Sequence, residues 1–523
     1  MYREGRTAVT HTSPQLSIAV APVGEGLDVD VEPTFSQQFA LHARDRGETD
    51  AIIDSTGTLT FAQLEARTNQ LARLFCQRGV GEGDFVLLAS PAPSDLLLGA
   101  IAAWKVGAVP MPVSDRLVQR ELDALVELGR PALAIDTTDR ALGVPRIIDL
   151  AEASTQEAGP LPPVIAPSLK SPTSGGSTGM PKLIVSGSTA VPEAIAGMGR
   201  LMGVPPHSVC LITAALHHNA SFSDALAALT MGSTTVLMER FDAEETLAMI
   251  ERHRAHWVYA VPTMMQRIWK LPQTVKDAYD LSSVQTLFHV AAPCPAWLKR
   301  AWIDWLGPEA IRELYGTTEG QAATVITGTQ WLEHPGSVGA PVVGEVSIRD
   351  DAGHVLPIGE TGVVWARRGA GEPASYHYLG SQAEVDSDDW ETVGDVGRLD
   401  ADGYLYLTDR RTDMVLVGGV NVYPAEVEAV SDMHPEVLAS CCVGIDDEEL
   451  GSVPALVVET HSGQVPADLD DHLRAHLARV KQPRRTVATT DRLRDAAGKI
   501  RKREIRAAHL VGRSRPLHDG CTA

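Results

Sequence analysis

Residues 171–182 read SPTSGGSTGMPK, and the apolar run 183–185 follows directly. Gly175, Gly176 and Gly179 let the backbone bend until several N–H groups face one point. Ser174, Ser177 and Thr178 add hydroxyl donors, and Lys182 adds a cation. Convergent donors and positive charge without bulky side chains are what a polyphosphate requires. The segment is not the common G-x-x-x-x-G-K-[ST] loop, because Lys182 follows a proline and precedes a leucine. A flexible Ser/Gly linker shares the composition, but a linker has no use for a fixed Met-Pro-Lys ending or for a strand behind it.

Outward from this loop, strand and helix alternate. Residues 51–54 and 58–60 flank a Ser-Thr-Gly turn and predict a hairpin. Thr60 and Gln63 form a capping box, Leu64, Leu71, Leu74 and Phe75 give one apolar helix face, and Gly79 closes the helix. Residues 85–89 predict a buried strand and 96–104 a helix, and the alternation continues to about residue 340, as in an α/β unit with a largely parallel sheet. From about 341 short β-like runs (345–348, 362–366, 403–407) form a β-rich stretch. A small α+β unit follows, with strands at 437–443 and 455–459 and a helix face at Leu469, Leu473, Leu477 and Val480. The predicted fold is therefore a large N-terminal α/β domain with mostly parallel sheets and a β-rich subdomain, plus a small C-terminal α+β domain. The boundaries expected are an irregular arm over 1–30, the large domain over 31–409 and the small one over 410–523, ending in a loose tail from about 508.

The chain has 523 residues, too many for one ordinary core. Its net charge of -22 excludes nucleic acid or an anionic membrane as main partner. Six scattered cysteines, Cys76, Cys210, Cys294, Cys441, Cys442 and Cys521, show no C-x-x-C pair and no zinc spacing, which predicts reduced, mostly buried thiols in a cytoplasmic protein. The N-terminus lacks a secretory pattern. The most apolar stretch, 96–113, is broken by Lys105 and Pro110 and predicts a buried helix and strand, so no membrane span is expected.

Four further segments carry chemistry. LYGTTEG at 314–320 offers an aromatic platform, room beside it, and a lone carboxylate suited to a hard cation. The run 390–410, WETVGDVGRLDADGYLYLTDR, contains Asp395 and Arg410 among β-turn residues. DMVLVGGVNVYPAEVE at 413–428 places Gly418 and Gly419 either at a hairpin bend or beside a narrow channel. AGKIRKR at 497–503 contains Lys499. With the glycine-rich loop these five motifs, in this order over residues 35–506, resemble the adenylate-forming enzymes: acyl-CoA synthetases, peptide-synthetase adenylation domains and luciferases.

The resemblance implies that residues 174–179 and Lys182 hold phosphates of ATP. It implies that Tyr315, with Gly316 beside it, stacks on adenine, which Ala291 and Ala292 flank. Thr318 then bonds the α-phosphate, Glu319 and Thr178 hold Mg2+, and Asp395 and Arg410 meet the ribose. Gly418 and Gly419 line the coenzyme A channel. Lys499 touches carboxylate and α-phosphate during adenylation, a task suited to an ammonium. The second residue after Arg410, Thr412, stands where the family has its hinge, commonly Asp or Lys, so the small domain is expected to be mobile about a stiffer β-branched residue.

ALHHNASF at 215–222 aligns with the border of the acyl pocket. Amino-acid-activating relatives carry an aspartate there. His218, Asn219 and Ala220 stand here instead, and a buried ammonium without a counter-charge is costly, with only Asp224, one helical turn on, able to supply it. His218 takes the place of a family histidine that gates the path between thiol and acyl group; as a bare residue it is equally a satisfied core histidine. Residues 288–300, FHVAAPCPAWLKR, resemble bile-acid-type coenzyme A ligases, with Val290 and Gly316 facing the acyl group. This implies a bulky, apolar, polycyclic acid.

The expected reaction joins such a carboxylic acid to coenzyme A at the expense of ATP, releasing pyrophosphate and AMP, with a homodimer as the open oligomeric expectation. Loading of a carrier-protein thiol and catalysis of only one half-reaction stay as alternatives. Lys481, Arg484 and Arg485 favour the phosphates of free coenzyme A. A non-enzymatic nucleotide-binding protein predicts damaged motifs, whereas Lys182, Glu319, Asp395, Arg410 and Lys499 are all present.

Overall fold

A computed structural model describes residues 33–510, except 139, 176–180, 411, 412, 419, 448, 496 and 497, with backbone alone at 174, 175 and 181. The arm 1–30, the tail beyond 510, the centre of the glycine-rich loop, Thr412 and Gly419 lie outside the described residues.

A nine-stranded sheet organises the large unit. Its spatial order is Ala340–Val343, Ala323–Thr327, Ile311–Gly316, Thr286–His289, Trp257–Ala260, Val209–Ile212, Thr234–Leu237, Asp50–Asp54 and Gly57–Thr60. From Ile311–Gly316 to Asp50–Asp54 every pairing is parallel, while both edges are antiparallel. Thr234–Leu237 and Trp257–Ala260 are buried along their whole length, as parallel strands covered on both faces must be. A second, four-stranded parallel sheet is centred on Phe85–Ala89. The hairpin and the capping box of Thr60 and Gln63 are as predicted.

The β-rich part is an antiparallel sheet, Glu345–Arg349, Gly362–Arg367, Glu391–Leu399 and Leu405–Arg410. A three-stranded sheet joins Tyr376–Leu379 to Pro181–Ser186 and Thr173–Gly175. Beyond Arg410 a separate sheet contains Ala439–Asp447 and Gly451–Glu459, with Arg485–Thr489 parallel to the latter. Its own core includes Val415, Val427, Leu456, Leu469 and Leu473. The helix predicted from Leu469 stops at His476. Leu477 and Val480 still pack on this core, from the helix end and from a short 3-10 turn. Residues 508–509 belong not to a tail but to the helix Lys502–His509, whose Ile505 is buried, and Leu510 caps it. Of the cysteines, Cys76 is exposed, Cys294 half-buried, and Cys210, Cys441 and Cys442 buried.

Among the described residues no helix is long and apolar enough to cross a membrane. The apolar stretch around Lys105 is the helix Pro93–Lys105 followed by the strand Val109–Pro112. Lys105 does not interrupt that helix; it ends it inside the core, 1% exposed. Its ammonium donates to Glu65 Oε2 at 2.5 Å, Asn69 Oδ1 at 2.7 Å and Thr68 Oγ1 at 2.9 Å. Three acceptors meet the three N–H groups of the ammonium, so this buried charge is fully compensated. Burial nonetheless lowers its pKa to about 8, with Glu65 opposing the shift. Lys105→Met should cost about 3 kcal/mol, because Glu65 is left buried and unpaired, and Lys105→Met/Glu65→Leu should recover most of the loss. Guanidinium unfolding of the two variants checks this.

Candidate active site

The glycine-rich loop joins two strands in register, Ser174 opposite Lys182 and Gly175 opposite Pro181. Gly176, Ser177, Thr178 and Gly179 fall outside the described residues. Lys182 is described. Its ammonium lies 3.5 Å from Glu319 Oε1 and 3.8 Å from the ring centroid of Tyr378. The Tyr378 hydroxyl donates to the same Glu319 oxygen at 2.6 Å. Tyr378 sits on the strand that pairs with the one carrying Lys182, opposite Ile184. One tyrosine thus touches both the lysine and the carboxylate through different parts of its side chain.

Residues 314–320 form the end of a strand and a turn, with positive φ at Gly320 (70°). A strand follows this turn, Ala323–Thr327. Thr317 Oγ1 donates to Gln321 Oε1 at 2.6 Å, and Gln321 Nε2 to Glu391 Oε2 at 2.8 Å. Thr318 is half-buried in the turn. Tyr315 donates its hydroxyl to Asp395 Oδ2 at 2.6 Å, and Arg410 Nε lies 2.9 Å from Asp395 Oδ1. Asp395 and Arg410 are direct register partners on antiparallel strands. Burial raises the Asp395 pKa, with Arg410 and the Tyr315 hydroxyl working against that rise. The Tyr315 phenol is pushed upward by burial and then by Asp395, so it stays a donor. Gly316 beside it is exposed.

The strand Thr286–His289 leads to Val290, which is 8% exposed, and to Ala291 at φ 76°, a left-handed conformation costly for a residue with a Cβ. Ala291 is exposed and Ala292 half-buried. His218 sits at the N-cap of the helix Asn219–Thr230, its ring centroid 4.1 Å from that of His217. His218 Nε2 and Asn219 Oδ1 are buried without hydrogen-bond partners. Burial, then His217, then Lys499 lower the His218 pKa to about 3. The imidazole is therefore neutral at working pH.

The field of Lys499 at His218 brings the far motif to the site. Lys499 is exposed, on a turn where its N–H donates to Asp495 Oδ1 at 2.9 Å. The preceding Gly498, at φ 76°, seats this turn on the start of the helix Pro262–Trp269. A Cβ there would lie 3.1 Å from Val261 Cγ2 and 3.3 Å from Thr263 Oγ1. Gly418, at φ 55°, is a hairpin bend between Val415–Val417 and Val420–Val422, its N–H on Leu450 O at 2.9 Å. Both contacts described for it, the N–H on Leu450 O and the approach of Leu450 Cδ2, lie within the C-terminal unit.

Tyr378 was missed in the sequence. The signal available was the Tyr-His-Tyr alternation at 376–378, which puts both tyrosines on one strand face; Tyr376 likewise donates to Glu391 Oε2 at 2.6 Å.

Comparison with known proteins fits this geometry. Residues 39–371 match the family model described as AMP-binding enzyme, and residues 426–499 match the AMP-binding enzyme C-terminal domain. A feruloyl-CoA synthase from Amycolatopsis sp is 32% identical over 467 residues, covering 86% of this chain and 93% of that protein. The 3-[(3aS,4S,7aS)-7a-methyl-1,5-dioxo-octahydro-1H-inden-4-yl]propanoyl:CoA ligase of Rhodococcus jostii (strain RHA1) is 28% identical over 515 residues, covering 89% and 96%. An o-succinylbenzoate CoA synthetase from Bacillus subtilis, solved with its acyl-adenylate, shares the fold at TM-score 0.76 and 23% identity, covering 91% of this chain and 98% of its own. The chain belongs to the AMP-binding, adenylate-forming enzyme family, among its acid–thiol ligases. It is an AMP-forming acyl-CoA synthetase by class.

Two outcomes follow from the site. Tyr378→Phe removes the hydroxyl on Glu319 but keeps the ring on Lys182. It should weaken binding of Mn2+, used as a paramagnetic stand-in for magnesium, in the presence of ATP by about tenfold, the worth of one hydrogen bond to a charged group. Binding of ATP without metal should change little; electron paramagnetic resonance and calorimetry measure the two. His218 makes stability fall with acid. Below about pH 6.5 the unfolded chain takes up a proton that folded His218 refuses until about pH 3. His218→Asn should flatten that limb by about 1.4 kcal/mol per pH unit, seen in urea unfolding at pH 4, 5, 6 and 7.

Proposed function

We propose that the protein activates a bulky, largely apolar carboxylic acid with ATP and magnesium and transfers the acyl group to coenzyme A, its C-terminal unit moving about Thr412 between the two steps. The observation that carries this reading is the seating of the Lys499 turn against Val261 and Thr263, close enough for its charge to act on His218. On this reading the turn presents the adenylation lysine where the acyl pocket meets the nucleotide site.

In the first step the carboxylate attacks the α-phosphorus, the bond to the β-phosphate breaks, and pyrophosphate leaves. Lys499 neutralises the anionic oxygens as they approach. Lys182, Thr318 and the glycine-rich loop hold phosphates, and Tyr315, Asp395 and Arg410 hold the nucleoside end. Glu319, with Thr178, has the donor chemistry for magnesium, since one carboxylate near phosphates suits a cation that keeps several waters. When bound, the metal spreads the charge of the leaving pyrophosphate. In the second step the coenzyme A thiolate attacks the acyl carbon and AMP leaves. A neutral His218 leaves the path of the incoming thiol uncharged.

The apolar acid is supported by Val290 and by the lack of a carboxylate at Asn219. Asp224 does not supply the missing charge, because it is fully buried within reach of the Lys170 field. Free coenzyme A is supported by the names of the relatives more than by the basic residues: Lys481 is held by Glu426 at 2.6 Å, and Arg485 Nη1 by Leu510 O at 3.0 Å. A carrier-protein thiol remains the second reading, because those cations are already engaged.

Lys499→Ala should cut pyrophosphate release from acid and ATP on the order of 100-fold or more. Supplied with chemically made acyl-adenylate, it should form acyl-CoA near the wild-type rate. Equal loss in both assays would mean that Lys499 serves both steps or only holds the fold. Wild type should turn over fused-ring and aryl acids and little of any free amino acid; a highest kcat/KM for an amino acid would overturn the acyl assignment.

A further inference from the structure

One helix of the large unit, Pro262–Trp269, meets the C-terminal unit at both of its ends. At its start the Gly498 turn seats on Val261 and Thr263. At its other end stands Lys270, its C-cap. About 10 Å of helix axis separates these two contacts, at a rise of about 1.5 Å per residue. The helix is itself fixed in the large unit. Met264, Met265 and Ile268 are buried in that core, and Trp302 Nε1 donates to Met265 O at 3.3 Å.

Lys270 Nζ donates to three carbonyl oxygens of the C-terminal unit: Asp432 O at 3.1 Å, His434 O at 3.4 Å and Val437 O. Among the described residues, every hydrogen bond of this ammonium crosses between the units. Gln266, one turn back on the same helix face, donates through Nε2 to Asp432 O at 3.4 Å. The acceptors belong to the end of the helix Pro424–Asp432 and to the segment after it. A helix end leaves its last carbonyls without intrahelical partners and carries partial negative charge. Many helices meet this with a glycine that folds the chain back. Here Met433, His434 and Pro435 follow, and the large unit supplies donors and a cation to the helix end. An ammonium has three N–H groups, so three acceptors match it fully. Such a match exists in one orientation of the units. In any other, water takes over both the ammonium and the carbonyls, so the contact is selective and still reversible.

We infer that Lys270, with Gln266, is a positioning residue for acyl-adenylate formation: it latches the end of the helix Pro424–Asp432 and so holds the C-terminal unit where the Gly498 turn, and Lys499 with it, sits on Val261 and Thr263. This rests on the two-step reading above and deepens it. Lys270 acts through the seating of Lys499 and not on the reacting atoms. Two contacts on one rigid helix fix an orientation that one contact would leave free to swing. Loss of the latch therefore lowers the population that presents Lys499, and it leaves the thiol step, which does not use that orientation, unimpaired.

Lys270→Met keeps the apolar stem and removes the donors, while Lys270→Arg keeps charge and donors. Two measurements on the full chain test the latch. Hydrogen–deuterium exchange without ligands should be about tenfold faster in Lys270→Met at the amides of 261–265 and 433–438, the worth of one hydrogen bond from a charged group. Exchange in the strands Ala439–Asp447 and Gly451–Glu459 should not change. In the second measurement, pyrophosphate release from cinnamic acid and ATP should fall about tenfold in kcat, with the KM for ATP held. Formation of the thioester from cinnamoyl-AMP and coenzyme A should stay at or above the wild-type rate, and Lys270→Arg should restore much of the loss. Unchanged exchange at 261–265 and 433–438 overturns the latch. Faster exchange with equal loss in both half-reactions also overturns it, as a general loss of structure would, and leaves the two-step reading intact. Wild type that turns over neither cinnamic acid nor cinnamoyl-AMP faults the reading of the acid, and exchange then decides the latch by itself. Should Lys270→Met not fold, Gln266→Met decides in the same two assays, with an expected effect of about threefold.

Discussion

Lys182 and Glu319 are opposite charges held 3.5 Å apart and partly away from water, and their geometry needs a third partner to fix it. Pairing of the strands Tyr376–Leu379 and Pro181–Ser186 supplies that constraint. It sets Tyr378 against Lys182 and Glu319 together, so the cation has an aromatic face and a carboxylate, and the carboxylate has a hydroxyl. A second carboxylate follows the same logic: Asp395 is satisfied by the Tyr315 hydroxyl and the Arg410 guanidinium.

The C-terminal unit is tied at its origin by a second charge cluster. Lys502 lies 3.3 Å from Glu428 and 3.4 Å from Asp413, and it senses Asp409. Burial works against its charge, but the three carboxylates outweigh that and raise its pKa above the ordinary lysine value. Lys502 stands three residues beyond Lys499, on the helix that follows the lysine turn. The chain that leaves the large unit and the chain that returns Lys499 to it are thus clasped at one point. Contacts across the units are modest: Lys270 Nζ donates to Asp432 O at 3.1 Å, and Arg267 lies 3.7 Å from Glu459. Such polar contacts would suit the proposed movement of this unit between half-reactions.

Two buried lysines show how burial alone misleads. Lys105 and Lys170 both have pKa values lowered to about 8 by burial. One is enclosed by Glu65, Thr68 and Asn69 and serves the fold. The other meets a serine and faces a carboxylate with no hydrogen bond. The number of partners, not the depth, separates the two sites.

Read as sequence, the chain was legible where function is local. A glycine-rich turn before a strand, an Asp and an Arg on neighbouring strands, and a lysine after glycine near the end are encoded within a few residues each. Helix starts at Thr60 and strand positions in the parallel sheet were legible because capping and hydrophobic periodicity are also local. The sequence by itself therefore determined the family and the order of the units, and it marked Lys182, Glu319, Asp395, Arg410 and Lys499 as candidate site residues. It could not show that Tyr378 bridges Lys182 to Glu319, since 59 residues separate Tyr378 from Glu319. Nor could it show that Lys170 reaches Ser223, 53 residues away. It read Lys105 as a break in an apolar run because charge counts against burial until its partners, 36 to 40 residues distant, are in place. Strand pairing and helix packing alone bring such groups together, and only then does solvation decide which charges can stay buried.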